Sequence, residues 1–392
     1  MTTITPAVSL NIPQFIKYLD DPDVNQKFVI ILKTSGSLSR PNAFKFEPDL
    51  YAHLTNIDHL SVKDLVSHYY NIGIYTYPIC ARYVISKLFP TLEYDNQTFK
   101  ITNTTLPFNK YATLADLVST ELYNKPSADL LNWVLDNHFK VVSSLDTDKS
   151  TNYKLLIQVH IGNIDIGSRI LTSVISMLSV NNLFSSALLI INQTEDNLHE
   201  LKTILQQASY PVNYIVTTTT DFGTDIQPYF LTLYYLTKHY PTLAPDYILK
   251  LHTKSDIPTM DQMLDAFSDS KLSSVITHLD NPASSNIDII GARPLLMPNY
   301  HVKELLTKTY PLSPSQDHNN FVFVAGSSFL SRFKLQQDIL AKYTPTLIKQ
   351  SLFSGQYYTG WLFDKNSPAH ALERVIGGFE SQANGNKVAS IE

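Results

Sequence analysis

The chain has 392 residues, a hydrophobic fraction of 44%, a charged fraction of 17% and a formal net charge of −5. That length allows two or three domains with a large core, and the composition is globular rather than disordered. The mildly acidic balance and lack of a basic stripe argue against nucleic acid as the main partner. Cys80 is the sole cysteine, which excludes an intrachain disulfide framework and a cysteine-based zinc site.

The amino terminus lacks the basic segment and apolar run of a secretory leader. The Asn-x-Thr sequons at Asn96, Asn103 and Asn192 are therefore read as chance matches. No stretch reaches the roughly 18 uncharged apolar residues that a membrane helix needs. The expectation is a soluble cytoplasmic protein with no transmembrane segment.

Residues 1–145 read as a separate, mixed and largely helical amino-terminal domain. Phe28 to Lys33 has the pattern of a strand, and Leu60–Tyr70 and Tyr77–Leu88 have helical spacing. A helix is predicted from Ser127 to Phe139, with Ser127 as its cap and Leu130, Leu131, Val134 and Leu135 as its apolar face. No chemical constellation occurs in this half. Packing, acceptor binding and homo-oligomerisation all remain open as its role. The polar, turn-prone run from Ser144 to Asn152 is the natural linker to a second domain over 150–392.

Beyond the linker, strands alternate with helices. Strands are predicted at Tyr153–Ile161, Ser186–Asn192, Tyr214–Thr217 and Tyr247–Leu251. Helices are predicted at Arg169–Leu178, Glu195–Ala208 and Asp225–Tyr240. Such alternation implies an α/β domain with a mostly parallel sheet and crossover helices. Ile287–Gly291 and Phe321–Gly326 add two later strands, and helical patterns follow at Leu335–Tyr343 and Ala369–Ile376, with a polar tail after Gly378.

Several signatures are missing. No GxGxxG fingerprint follows the first strand of the second domain, and there is no Walker A sequence, GxSxG elbow or HExxH spacing. The informative segment is Asp246-Tyr-Ile-Leu-Lys-Leu-His-Thr-Lys-Ser-Asp256. A buried strand runs there into a cluster in which His252, Lys254 and Asp256 occupy alternate positions, on one side if the extended form continues. In open α/β sheets ligands bind beyond the carboxyl ends of strands. Two potential cations and a carboxylate there suit an anionic ligand such as a diphosphate; a plain polar loop is the alternative.

In the turn Thr220-Asp-Phe-Gly-Thr-Asp225, Asp225 sits near a helix start. It can cap free N–H groups or accept hydroxyls from a sugar. Gly326, at a strand end before Ser327 and Ser328, permits close backbone approach to a ligand, or is a simple bulge.

Four segments together resemble the rhamnan-synthesis F family. They are Asp221-Phe-Gly-Thr-Asp-Ile-Gln-Pro-Tyr-Phe230, Asp246-Tyr-Ile-Leu-Lys-Leu-His-Thr-Lys254, Phe323-Val-Ala-Gly-Ser-Ser-Phe329 and His370-Ala-Leu-Glu-Arg374. The resemblance spans roughly residues 153–378, and its most specific part is Leu-Lys-Leu-His-Thr-Lys. Two segments depart from the family: Asp221-Phe-Gly-Thr-Asp225 stands for its usual Asn-x-Gly-Arg-Asp, with Thr224 in place of the arginine, and Gly326-Ser-Ser-Phe-Leu330 replaces Gly-Thr-Met-Phe-Trp.

The resemblance implies a GT-A type glycosyltransferase. Such an enzyme moves a sugar, rhamnose in the family, from a nucleotide-sugar donor to a saccharide or glycan acceptor in polysaccharide synthesis. The alternative is a catalytically inactive nucleotide- or carbohydrate-binding protein or a scaffold. Most GT-A enzymes end the relevant strand with Asp-x-Asp, which holds Mg²⁺ or Mn²⁺ against the diphosphate. Here His252-Thr-Lys254 stands in that place, suited to stabilising leaving-group charge directly. Asp256, the one uncertain metal ligand, leaves Mg²⁺ or Mn²⁺ open.

The resemblance also implies a donor site of Asp221, Gly223, Asp225, His252, Lys254 and Asp256; His160, at the end of the first strand, would join it at the nucleotide edge of the sheet, or is a buried, satisfied histidine. It implies an acceptor or backbone-approach site of Gly326, Ser327, Ser328 and His370. For an inverting transfer Glu373 is the expected general base, with Asp225 as second choice; the alternative for Glu373 is an ion pair with Arg374 or a lysine on a solvated helix face.

Overall fold

The computed structural model describes residues 30–33, 43–61, 64–65, 68, 82–102, 107–144, 153–194, 197–208, 211–219, 225–253, 257–268, 271–281, 286–292, 296–298, 322–350 and 372–391. Most of the predicted Leu60–Tyr70 helix, the 145–152 linker, Asp221, Gly223, Lys254, Asp256 and His370 lie outside them. The chain forms two compact units. One comprises residues 1–132, 305–310 and 345–370; the other comprises 133–304, 311–344 and 371–392.

In the first unit, β1 (Ile30–Lys33) pairs antiparallel with β2 (Ala43–Phe46). Helix α1 (Pro48–Thr55) buries Leu50, Tyr51 and Ala52 and ends on Asn56 in the left-handed conformation, a common helix stop. The Arg82 guanidinium, at the start of α2 (Arg82–Leu88), reaches Glu47 and, at 2.8 Å, Asp49. Thr113 and Asp116 form a reciprocal capping box at the head of α3 (Leu114–Val118). Helix α4 (Ser127–His138) follows, and Leu130, Leu131, Val134 and Leu135 are all buried, as the i, i+4 spacing predicts.

The second unit is built on an eight-stranded sheet. Its strands are β3 (Phe139–Ser144), β4 (Leu155–Ile161), β5 (Ala187–Gln193), β6 (Asn213–Thr219), β7 (Tyr247–His252), β8 (Ile287–Ala292), β11 (Phe329–Arg332) and β12 (Lys387–Ile391). Their order is β12-β8-β11-β7-β4-β5-β6-β3. The four strands β6, β5, β4 and β7 are parallel neighbours, and β12 is parallel to β8. Antiparallel β11 lies between β7 and β8, and β3 closes the other edge antiparallel to β6. Short β9 (Leu296–Pro298) and β10 (Val322–Val324) pair separately.

The crossover helices are α5 (Ile164–Val180), α6 (Leu198–Gln206) and α7 (Ile226–His239). The Asn163 side chain accepts the Ile166 N–H at 3.1 Å and caps α5. Ile170, Leu171, Val174, Met177 and Leu178 form its buried stripe, each worth roughly 1.5–3 kcal/mol when withdrawn from water. A Cβ on Gly167 would sit 2.6 Å from the Ile161 side chain, so glycine lets α5 lie close on β4. Helix α7 is buried from Ile226 through Leu233. Helices α8 (Ile257–Ala266), α9 (Lys271–Asp280), α10 (Phe333–Gln350) as far as residue 344, and α11 (Glu380–Ala383) complete the unit.

Three strands of the eight-stranded sheet were not anticipated. The sequence reading assigned β3 to the amino-terminal domain, ended the late strand at Gly326 and treated the segment after Gly378 as a tail. In the fold, the chain turns at Gly326 with φ of 77° and re-enters the sheet as β11. The segment expected to be a tail returns as β12 on the outer edge. Both are short, and β12 is a half-exposed edge strand, so neither carries a long apolar run.

Candidate active site

Side chains alternate along β7, so Ile248, Lys250 and His252 share one face. The parallel register sets Gln158 beside Lys250 and His160 beside His252. Asn192 follows beside His160, and Thr217 beside Asn192. The same face therefore carries a polar row at the carboxyl ends of the parallel strands. It lies at β4–β7, where successive crossovers leave in opposite directions: β5 and β6 extend one way from β4, and β7 lies on its other side. This is the switch point of an open α/β sheet, the usual ligand crevice.

The row is buried beneath α7. Gln158 Nε2 donates to Asn192 Oδ1 at 2.5 Å, and Asn192 Nδ2 donates to Thr217 Oγ1 at 2.5 Å and Thr232 Oγ1 at 3.0 Å. His160 Nδ1 and Gln158 Oε1 are buried with no hydrogen-bond partner among the described residues. Each such atom costs about 1–3 kcal/mol, so polar demand here exceeds what the surrounding residues supply. Burial holds the His160 imidazole down to about 4, with Lys250 adding to the effect and Asp225 opposing it. His160 is therefore neutral at physiological pH.

Lys250 is wholly buried. Its Nζ lies 2.5 Å from Asp225 Oδ2 and 5.5 Å from the centre of the Tyr229 ring. A lone ammonium in this position would lose several kcal/mol of solvation, so the carboxylate is its necessary counter-charge. Asp225 is the N-cap residue of α7, yet its side chain makes no capping bond. The carboxylate turns to β7 instead of to the helix N–H groups, which decides against the capping role.

His252 Nδ1 is 3.8 Å from the same Asp225 oxygen and 3.2 Å from Ser328 Oγ. Serine and aspartate thus approach the same ring nitrogen. A serine–histidine–aspartate relay needs one partner on each nitrogen, so this is not a nucleophilic triad.

The Gly326 turn brings in the carboxyl-terminal segment. The Gly326 N–H donates to the Glu373 carboxylate, whose other oxygen is 3.6 Å from Arg374. Arg374 stacks over Phe323 at 4.6 Å. A Cβ on Gly378 would lie 2.2 Å from the Val322 carbonyl oxygen, so only glycine lets this segment lie against β10. Gln336 ties the segment to the site. It accepts from Tyr229 OH at 2.9 Å and donates to Ser331 Oγ and the Ile376 carbonyl, both at 3.1 Å.

Of the expected site residues, Asp225, His252 and Ser328 are therefore brought together, with His160 beside them on the neighbouring strand. Glu373 meets Gly326 two residues upstream of Ser328. The side chain of Ser327 lies outside the description, with Asp221, Gly223, Lys254, Asp256 and His370. Lys250, Tyr229 and Gln336 were missed. The signal for Lys250 was present: a lysine inside an apolar strand, two residues before His252.

The described residues contain no group of three His, Cys, Asp or Glu side chains arranged to hold a metal ion. Asp225, the described carboxylate beside His252, faces a lysine, so the described residues do not fit a divalent ion.

A separate cavity of about 560 Å³ opens at the other end of β7, around Tyr247, Asp280, Asn281, Arg332 and Phe333. Its Asp280 is already engaged by Lys154 and by the Tyr247 hydroxyl. The polar row lies at the opposite edge of the sheet.

No protein-family model and no curated protein matches the chain. The rhamnan-synthesis F resemblance therefore rests on the four segments themselves. Among solved structures, the mannosyltransferase Ktr4p of S. cerevisiae is similar at 12% identity over 79% of this chain and 83% of its own, with a TM-score of 0.33. Core-mannan synthase A of Aspergillus fumigatus, in a Mn/GDP form, matches at 12% identity over 62% and 76%, with a TM-score of 0.32. The 4-diphosphocytidyl-2C-methyl-D-erythritol synthase of Anaerococcus prevotii matches at 14% identity over 50% and 78%, with a TM-score of 0.28.

Proposed function

We propose that this chain is a nucleotide-sugar-dependent glycosyltransferase acting on a saccharide acceptor, with a rhamnose donor as the finer expectation of the sequence resemblance. The observation that carries the reading is the cluster of Asp225, Lys250, His252 and Ser328 at the switch point of the parallel strands. A ligand in that crevice meets a carboxylate that accepts hydroxyl hydrogen bonds, a hydroxyl and an imidazole. That set suits a sugar. Lys254, two residues beyond β7, is assigned to the diphosphate.

In an inverting reaction the acceptor oxygen attacks the anomeric carbon. The bond from that carbon to the diphosphate oxygen breaks, and the nucleoside diphosphate leaves with the electron pair. The acceptor proton passes to a carboxylate. Glu373 is proposed for that task, because Asp225 is committed to the buried lysine.

The test incubates the full-length protein with UDP-, GDP-, CDP- and dTDP-sugars, with and without mono- and oligosaccharide acceptors. Released nucleoside diphosphate and glycosylated product are both measured. Transfer that falls at least about 100-fold in Asp225→Asn and in Glu373→Gln supports the reading, as expected for removal of groups that act in the reaction. Binding without turnover would instead assign a carbohydrate- or nucleotide-binding role. Neither binding nor turnover with any donor would refute the proposal.

A further inference from the structure

We infer that Lys250 is a positioning residue for donor recognition: its buried ammonium fixes Asp225 as the carboxylate that accepts hydrogen bonds from the hydroxyls of the donor's sugar. The inference rests on the glycosyltransferase reading and deepens it.

Four observations carry it. Lys250 is fully buried in a central strand, while the Asp225 side chain keeps 16% exposure. The carboxylate is therefore the outer member of the pair and the ammonium the inner one. Asp225 makes no capping bond to α7, so its orientation follows the lysine. The Tyr229 ring lies over the ammonium, and Gln336 holds the Tyr229 hydroxyl, which restricts the lysine to one position. His252 Nδ1 lies 3.8 Å from the same carboxylate, and Ser328 Oγ is 3.2 Å from that ring nitrogen.

Chemistry then selects the ligand group. A buried ion pair is weak evidence for stability, since well-packed apolar residues of similar volume often serve as well. A charge that offers little to stability has its use at the exposed end. An anionic oxygen there repels phosphate and attracts a donor O–H. The sugar of a nucleotide sugar carries several such hydroxyls, whereas its diphosphate carries none at neutral pH. Lysine contributes no contact to the sugar; it acts through Asp225.

The experiment separates the sugar from the rest of the donor. Calorimetric titrations compare a nucleotide sugar with its own nucleoside diphosphate, beginning with the pair that the parent protein binds. The variants are Lys250→Met, Lys250→Arg, Asp225→Asn and the double variant Lys250→Met with Asp225→Leu. Melting temperatures are measured alongside.

Each charge-removing single change is expected to lower the melting temperature, because it leaves one charge buried alone. The double change is expected to recover most of that loss. The preference for nucleotide sugar over nucleoside diphosphate should nevertheless fall about 10-fold or more in the double variant and in Lys250→Met, as for loss of a charge-assisted hydrogen bond. Nucleoside diphosphate affinity should stay within about 3-fold, and Lys250→Arg should retain most of the preference.

A double variant that regains its melting temperature and keeps the parent's sugar preference would overturn the inference while leaving the glycosyltransferase reading intact. A parent that binds neither nucleotide sugars nor nucleoside diphosphates would defeat both. Should the double variant fail to fold, Asp225→Asn carries the test, with its nucleoside diphosphate affinity as the check on folding. An unchanged sugar preference in that variant overturns the inference.

Discussion

Gln336→Met examines whether the site is held by the network behind it. Gln336 is wholly buried and bridges α10 to Tyr229, Ser331 and the Ile376 carbonyl. Methionine approximates its volume, so packing changes little, but all three hydrogen bonds go. Ser331 Oγ keeps its bond to the Arg332 carbonyl at 3.1 Å. The Tyr229 hydroxyl and the Ile376 carbonyl lose the Gln336 partner inside the core. At about 1–3 kcal/mol for each buried group left unsatisfied, the expected loss is about 4 kcal/mol. For a domain of this size that lowers the melting temperature by about 8–16 °C. Urea unfolding followed by circular dichroism measures the loss directly. Adding Tyr229→Phe should then recover about 1–2 kcal/mol, because it deletes one orphaned hydroxyl. A loss below about 1 kcal/mol for Gln336→Met, with no coupling to Tyr229→Phe, would refute the network.

Three further outcomes are expected. Stability should fall as pH drops through 6.5: the unfolded imidazole takes a proton near its ordinary value, whereas folded His160 resists until about 4. By pH 5 this amounts to about 2 kcal/mol for His160. His138, also held down to about 4 by burial, adds a similar loss, so His160→Phe should flatten only part of the stability curve; an unaltered curve would count against a buried neutral His160. Lys254→Ala should weaken nucleoside diphosphate binding by about 1.5–3 kcal/mol, one to two decades, with little effect on free nucleoside. Equal affinity in the variant would remove Lys254 from the diphosphate site. Donor turnover should persist in excess EDTA if Lys254 compensates the diphosphate charge. Activity lost in EDTA, restored by Mg²⁺ or Mn²⁺ and absent in Asp256→Asn would instead assign a metal to Asp256.

The parallel core was legible because β4, β5 and β7 are buried at every position and are mostly apolar in sequence, with few polar residues among them. Their helices carry clear stripes, as in α5 and α6. The edges were less legible. β3 and β11 add antiparallel strands whose short sequences, Phe-Lys-Val-Val-Ser-Ser and Phe-Leu-Ser-Arg, are compatible with loops. In the site, His252, Asp225 and Ser328 could be named from local sequence, because each sits at an element boundary. What could not be read was the pairing. Lys250 and Asp225 are 25 residues apart, and only the packing of α7 on β7 makes them partners. Glu373 was assigned from its motif, but its bond to the Gly326 N–H depends on a turn closed across 47 residues.

If the chain takes a nucleotide sugar as proposed, its charge arrangement divides that donor between two groups of residues. A Lys250–Asp225 pair largely cancels its own field at a distance, and His160 beside it is neutral at physiological pH. That part of the crevice therefore has little to draw a doubly charged diphosphate inward, and a carboxylate at its mouth opposes one. It does have what a sugar needs: a carboxylate held by Lys250, and beside it an imidazole hydrogen-bonded to a serine hydroxyl. On this reasoning Lys254 binds the diphosphate just past the strand end, while the sugar points inward toward Asp225. The two tests then have opposite signatures. Lys254→Ala should weaken nucleoside diphosphate and nucleotide sugar alike. Changes at Lys250 or Asp225 should reduce only the difference between them. If the two sets of variants instead produced the same pattern, a single mixed site would replace the divided one.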